Sequence, residues 1–194
     1  MSQPPNWHFP VNAPTPVNGP INVVPYDPAW PAMYERERQR IAGALGDRAR
    51  EIHHVGSTSV PGLAAKPIID ILLVVEDCAN EAAYLSDLEQ AGYVLRIREP
   101  DEGNPLFHGT EPHRVFKGSE IDLNLHVWSR GSGEIQRHLV FRDWLREHDD
   151  DRDFYQRVKL DLANRQWDNV QQYADAKTDV IIAIRDRALA ARDT

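Results

Sequence analysis

The sequence predicts an α+β fold, in which a small mixed β-sheet is flanked by helices and its C-terminal third forms a helical layer. Three stretches carry this reading. Ile68 to Val75 is an apolar run rich in β-branched residues that stops at Glu76-Asp77, as a strand buried on both faces would. Ile121 to Val127 alternates strictly: Ile121, Leu123, Leu125 and Val127 face one way, and Asp122, Asn124 and His126 the other. From Gly133 onward, apolar residues recur at helical spacing.

A chain of 194 residues suits one core better than two. Its 41% hydrophobic content and five Trp argue for a folded domain. We expect residues 1–20, with six prolines and no period, to form an extended or disordered arm, and 21–194 to form a single domain. Trp7 and Phe9 are candidates for docking that arm. The formal charge of −8 argues against a general nucleic-acid binder, which is usually basic. Cys78 stands alone, so no internal disulfide is available. With no long apolar run and no secretory leader pattern, the expected protein is soluble and cytoplasmic, with no membrane partner.

In chain order, Ile21 to Val24 is a short strand candidate. Asp27 then stands as N-cap with Pro28 at the first helical position, and Trp30, Met33, Tyr34, Ile41 and Leu45 form the apolar stripe of a helix ending at Gly46. Arg50 to Val55 is a strand containing His53 and His54, both read as structural. Asn80 to Gly92 reads as a helix and Tyr93 to Ile97 as a strand. Glu99 to His113 is long and irregular, the kind of connection that serves as a lid or binding loop; it holds His108 and His113. Arg114 and Lys117 follow on a strand and read as a solvated rim or as contacts to an anion. In the helical third, Arg142 shares the stripe of Leu139 and Leu145, where a cation needs a phosphate or a carboxylate. Tyr155 and Lys159 are four residues apart, as are Tyr173 and Lys177. Both lysines border apolar stripes, either snorkelling to water or aimed at a phosphate group.

The chemistry centres on His53 to Val75. Gly56 and Gly62 allow turn angles closed to other residues. Ser57, Thr58 and Ser59 place three hydroxyls beside backbone amides, an arrangement suited to phosphate oxygens, and Lys66 adds a charge. The Gly-Lys-Ser/Thr of a P-loop does not follow. Asp70 interrupts the apolar strand. An unpartnered buried carboxylate is costly, so Asp70 must sit at the margin of burial, pair with a cation or bind a metal.

The run from His54 to Ile71, His-Val-Gly-Ser-Thr-Ser-Val-Pro-Gly-Leu-Ala-Ala-Lys-Pro-Ile-Ile-Asp-Ile, closely resembles the signature of the GrpB family. Asn124-Leu125-His126-Val127 and Phe141-Arg142-Asp143-Trp144-Leu145 resemble further segments of it. The likeness runs from about Val23 to Ile184. It implies a sheet of the nucleotidyltransferase type, in a family related to domains fused behind dephospho-coenzyme A kinase. In that superfamily a Gly-Ser turn and two or three carboxylates hold metal and nucleotide. Gly56 and Ser57 match the turn and Asp70 the first carboxylate, while Leu72 occupies the usual second position. The resemblance therefore implies ATP or another nucleoside triphosphate bound by Gly56, Ser57, Thr58, Ser59, Lys66, Arg142, Lys159 and Lys177. It sets His126 opposite Asp70, the two holding one Mg²⁺ with help from Asp122 or Asn124, or His126 acting as general base. The nucleotidyl group would pass to a small-molecule acceptor. A catalytically inactive nucleotide- or coenzyme-binding module is the alternative, and Leu72 favours it.

Overall fold

The computed structural model describes residues 11–13, 21–100 and 111–192. His108, Trp7, Phe9 and most of the Pro-rich arm and the predicted lid lie outside them. Helix α1 (Trp30–Leu45) leads into β1 (Glu51–Val55) and, after the turn, β2 (Ile69–Val75). Next come α2 (Leu85–Gln90), β3 (Val94–Glu99), β4 (His113–Lys117) and β5 (Leu123–Ser129). The chain closes with α3 (Gly133–Glu147), α4 (Asp149–Ala163), α5 (Val170–Asp175) and α6 (Thr178–Arg192). No described helix is long and apolar enough to cross a membrane.

The strands form one sheet in the order β1-β2-β5-β4-β3. Only β2 and β5 run parallel; the other neighbours are antiparallel, so the sheet is mixed as expected. Residues paired side by side share a face. Asp70 pairs with Asn124, and Leu72 with His126. The alternate positions Ile69, Ile71, Leu73, Leu123, Leu125 and Val127 build the main core beneath α1, with Trp30, Ile41 and Leu45 fully buried against them. On the opposite face, Val55, Leu72, Val74 and Trp128 pack with Ile135 of α3. A third cluster joins the turn residues Val60 and Leu63 to Leu145, Tyr155 and Ile184 of the helical layer.

Several boundaries differ from the sequence expectation, each for a local reason. Ile21 to Val24 supplies a single bridge, Val24 with Ala65, not a strand. Helix α1 begins at Trp30, because Asp27 caps the preceding turn by accepting from the Ala29 amide at 2.8 Å. The predicted Asn80–Gly92 helix is split at Tyr84, whose hydroxyl donates to the Cys78 carbonyl at 2.6 Å and anchors it in the core. The stripe from Val170 to Ile184 is interrupted at Ala176-Lys177, dividing it into α5 and α6. Asn12, from the Pro-rich arm, docks on the outer edge of β3, bonding the backbone of Arg96 and Arg98. That contact covers hydrogen-bonding groups an edge strand otherwise leaves open.

Candidate functional site

The β1–β2 connection folds back as a tight 3-10 turn over Ser57–Ser59, entered through Gly56 at φ 67°. The glycine is required twice over. Its φ is left-handed, and a Cβ there would meet Asp70 Oδ2 at 2.3 Å. The turn and the carboxylate are thus in direct contact. Within the turn the hydroxyls diverge. Thr58 is buried and donates to the Ile68 carbonyl at 3.2 Å, with His54 Nε2 also within 3.1 Å. Ser59 is buried and donates to the Gly56 carbonyl at 2.6 Å. These two residues, expected at the phosphate, brace the turn from within. Ser57, half-buried, faces the helical layer and accepts from Lys159 Nζ at 3.1 Å.

Two arginines of α3 fix the turn from one side. Arg142 donates to the His54 carbonyl at 3.0 Å and is forked by its neighbour Asp143. Arg146 donates to the Ser59 carbonyl at 3.0 and 2.8 Å. The Arg142 guanidinium, expected at a nucleotide, is therefore engaged in architecture. The sequence did indicate that this cation needs a partner; Asp143 and a carbonyl fill the need. His54 lies on the α1 face, stacked on Tyr34, and burial lowers its pKa to about 4.

Lys66, Lys159 and Lys177 come from three separate segments and converge. Lys177 lies 4.4 Å and Lys66 5.3 Å from the centroid of the Tyr173 ring, and Lys159 lies 4.8 Å from that of Tyr155. Lys159 also donates to the Ala64 carbonyl. Burial, then the charge of Lys177, lowers Lys159 to about 7. Burial and the charge of Lys66 lower Lys177 to about 8, against a smaller upward pull from Asp70. Lys66 is also pushed down, mainly by burial, and partly restored by Asp70. Three partly desolvated cations within each other's field form a site that an anion would relieve. The break between α5 and α6 brings Lys177 into this group.

On the adjoining strands, Asp70 Oδ1 accepts from Asn124 Nδ2 at 2.6 Å and lies 3.9 Å from His126 Nε2. The expected pair thus shares one side of the sheet. Burial pushes the Asp70 carboxyl up, but the facing His126, then the hydrogen bond from Asn124 and the charge of Lys66, hold it below the ordinary range. Sequence reasoning missed what lies behind His126. His113 Nε2 sits 3.2 Å from His126 Nδ1, and His113 Nδ1 sits 2.6 Å from Glu99 Oε2. The His113 ring stacks on Trp128 at 4.1 Å. Burial lowers His113 to about 4. His138 of α3 lies 5.9 Å from His126, and burial brings it to about 3. The antiparallel pairing of β4 with β5 sets His113 across from Trp128, on the face of His126, and the sequence carries no signal for that pairing.

The expected Mg²⁺ site can be tested on these donors. Magnesium takes oxygen ligands in near-octahedral geometry. Asp70 already gives one oxygen to Asn124, Leu72 is apolar and fully buried, and His126 offers nitrogen. Among the described residues, no group of three or more His, Cys, Asp or Glu is arranged to hold a metal. Among the described residues, this donor set does not fit the single resident Mg²⁺ expected at Asp70 and His126.

Comparison with known proteins places these residues in a group. The family model described as GrpB protein matches residues 20–187. A UPF0157 protein of Halalkalibacterium halodurans is 56% identical over 173 residues, covering 89% of this chain and 85% of the relative. A dephospho-CoA kinase of Mycolicibacterium paratuberculosis is 32% identical over 185 residues, covering 86% of this chain but 44% of that longer protein. The crystal structure of GrpB from Enterococcus faecalis superposes with a TM-score of 0.73 at 31% identity, covering 89% of this chain and 100% of the other.

Proposed function

The chain belongs to the GrpB family, and from that premise we propose that it binds a nucleoside triphosphate such as ATP and transfers a nucleotidyl group to a small-molecule acceptor. The observation that carries this reading is the convergence of Lys66, Lys159 and Lys177 beside Ser57 and Asp70. Cations pressed below the ordinary lysine range gain most from a polyanion that restores their charge. A triphosphate meets that need, and the oxygens of its reacting phosphate would lie against fixed donors in a water-poor site. Relatives named dephospho-CoA kinase carry a region similar to this chain, which supports a ligand of the nucleotide or coenzyme class. Magnesium enters as part of the substrate, chelated by the triphosphate.

The acceptor hydroxyl would lie between Asp70 and His126, whose 3.9 Å separation is too long for a direct hydrogen bond. The imidazole would take its proton and the carboxylate would face the resulting positive charge. The chain's contribution is positioning and charge, the two effects phosphoryl chemistry depends on most.

Leu72 favours a second reading, a binding module without turnover, because it removes the usual second carboxylate. Calorimetry with ATP and with dephospho-coenzyme A, each with and without Mg²⁺, tests the binding claim. We expect saturable binding to the parent and marked weakening in Lys159→Met. Equal heats in parent and variant would place the ligand elsewhere. Pyrophosphate release over a panel of hydroxyl and amine acceptors then separates the readings, and binding with no release for any acceptor selects the silent module.

A further inference from the structure

We propose that Glu99 and His113 are positioning residues that lock His126 in the tautomer carrying hydrogen on Nδ1, leaving the Nε2 lone pair aimed at the acceptor. The argument follows the protons along the chain of contacts. A carboxylate has lone pairs only, so the 2.6 Å contact places hydrogen on His113 Nδ1. A neutral imidazole carries one hydrogen, and burial keeps His113 neutral down to about pH 4. Its Nε2 is therefore an acceptor, and the atom 3.2 Å away, His126 Nδ1, must donate. The remaining nitrogen of neutral His126 is Nε2, the one 3.9 Å from Asp70. Packing keeps the chain in register. His113 lies nearly parallel to Trp128 on one side, and its ring is parallel to His126 within 1°. His138, the other imidazole facing His126, is held neutral by burial and adds no charge.

This inference deepens the transferase reading and rests on it for its chemical purpose. In that step the acceptor O–H bond breaks and its proton goes to His126 Nε2. The oxygen lone pair forms a bond to the α-phosphorus, and the bond from that phosphorus to the bridging oxygen breaks, its electrons leaving on pyrophosphate. The imidazolium formed is held between Asp70 on one nitrogen and His113 on the other. Neither Glu99 nor His113 touches the reacting atoms; they act by orienting the base. A histidine without such a partner would turn a hydrogen toward Asp70 and present no lone pair.

Nitrogen-15 NMR of the imidazoles reads the tautomer without substrate. The measurement is made near pH 8.5, about two units above the ordinary imidazole value, with His126→Gln assigning the resonance. We expect the parent His126 to be protonated on Nδ1 alone. In His113→Phe, which keeps a ring against Trp128, Nε2–H becomes the major form. In Glu99→Gln the amide can donate to His113 Nδ1 and reverse the chain, so a mixture is expected. A parent His126 protonated on Nε2, alone or with Nδ1, overturns the proposal, as does a tautomer unchanged in both variants. Failure to release pyrophosphate would sink the transferase reading while leaving this result standing.

Discussion

The two faces of the sheet make a controlled comparison, because the same strands build both. One face carries Ile69, Ile71, Leu73, Leu125 and Val127, all fully buried under α1. The other begins alike, with Leu72, Val74 and Trp128 under Ile135, but then turns polar at Asp70, Asn124, His126 and His113. The first face is an ordinary solution to burying area. The second gathers desolvated carboxylate, imidazoles and lysines, which stability alone would not select. The apolar core and the polar cluster are divided between alternate residues of the same strands.

The largest expected effect tests that division from the apolar side. Leu125→Ala should cost about 3 kcal/mol, within the usual range for a core truncation, measured by urea unfolding. The ligand affinity of the remaining folded protein should match the parent. If affinity falls in step with stability, the faces are not independent. Gly56→Ala probes the point where turn and carboxylate meet. A left-handed φ plus overlap with Asp70 should cost about 2 kcal/mol or more and weaken nucleotide binding as well.

Lys159→Met tests the polar face. We expect ATP affinity to drop about 10- to 100-fold, the worth of one hydrogen bond to a charged group, by calorimetry. A smaller effect sharpens the comparison through pH. Binding should weaken as pH rises through the Lys159 and Lys177 values of about 7 and about 8, where both lose their protons. Apo stability should move the other way over that window. The unfolded lysines keep their protons to about pH 10.4, so the unfolded chain binds more of them and rising pH favours the folded state. The smallest effect belongs to the solvated surface: removing the exposed Arg165–Asp161 pair should change stability by no more than about 0.5 kcal/mol.

The alternating residues from Leu123 to Val127 and the run after Pro67 were legible in the sequence, because two-residue periodicity states which side each residue occupies. Periodicity gave the face of each side chain within its own strand; setting Asp70 opposite His126 rested on the resemblance to the GrpB segments, because periodicity does not say which strands pair. The start of α3 at Gly133 was legible as well from its apolar spacing, and the structure shows Ser132 capping it by accepting from the Glu134 amide. The break at Lys177 was not, because helical spacing continues across it with no Gly or Pro to mark the interruption. His113 was hidden for another reason. Its role depends on the pairing of β4 with β5 and on a carboxylate fourteen residues away. Arg142 shows the limit of reading a cation on an apolar stripe: the need for a partner was correct, and the partner proved to be the chain itself.

The parallel alignment of β2 with β5 has a consequence for how this protein can change. One residue inserted or deleted within β5 would invert every side chain beyond it. His126 would enter the greasy interior and Leu125 or Val127 would take its post, so the same slip would break the packing and scatter the polar cluster together. Length variation within β2 and β5 is therefore closed off, whereas β3 and β4, whose register shifts between Leu95 and Ile97, already accommodate an extra residue.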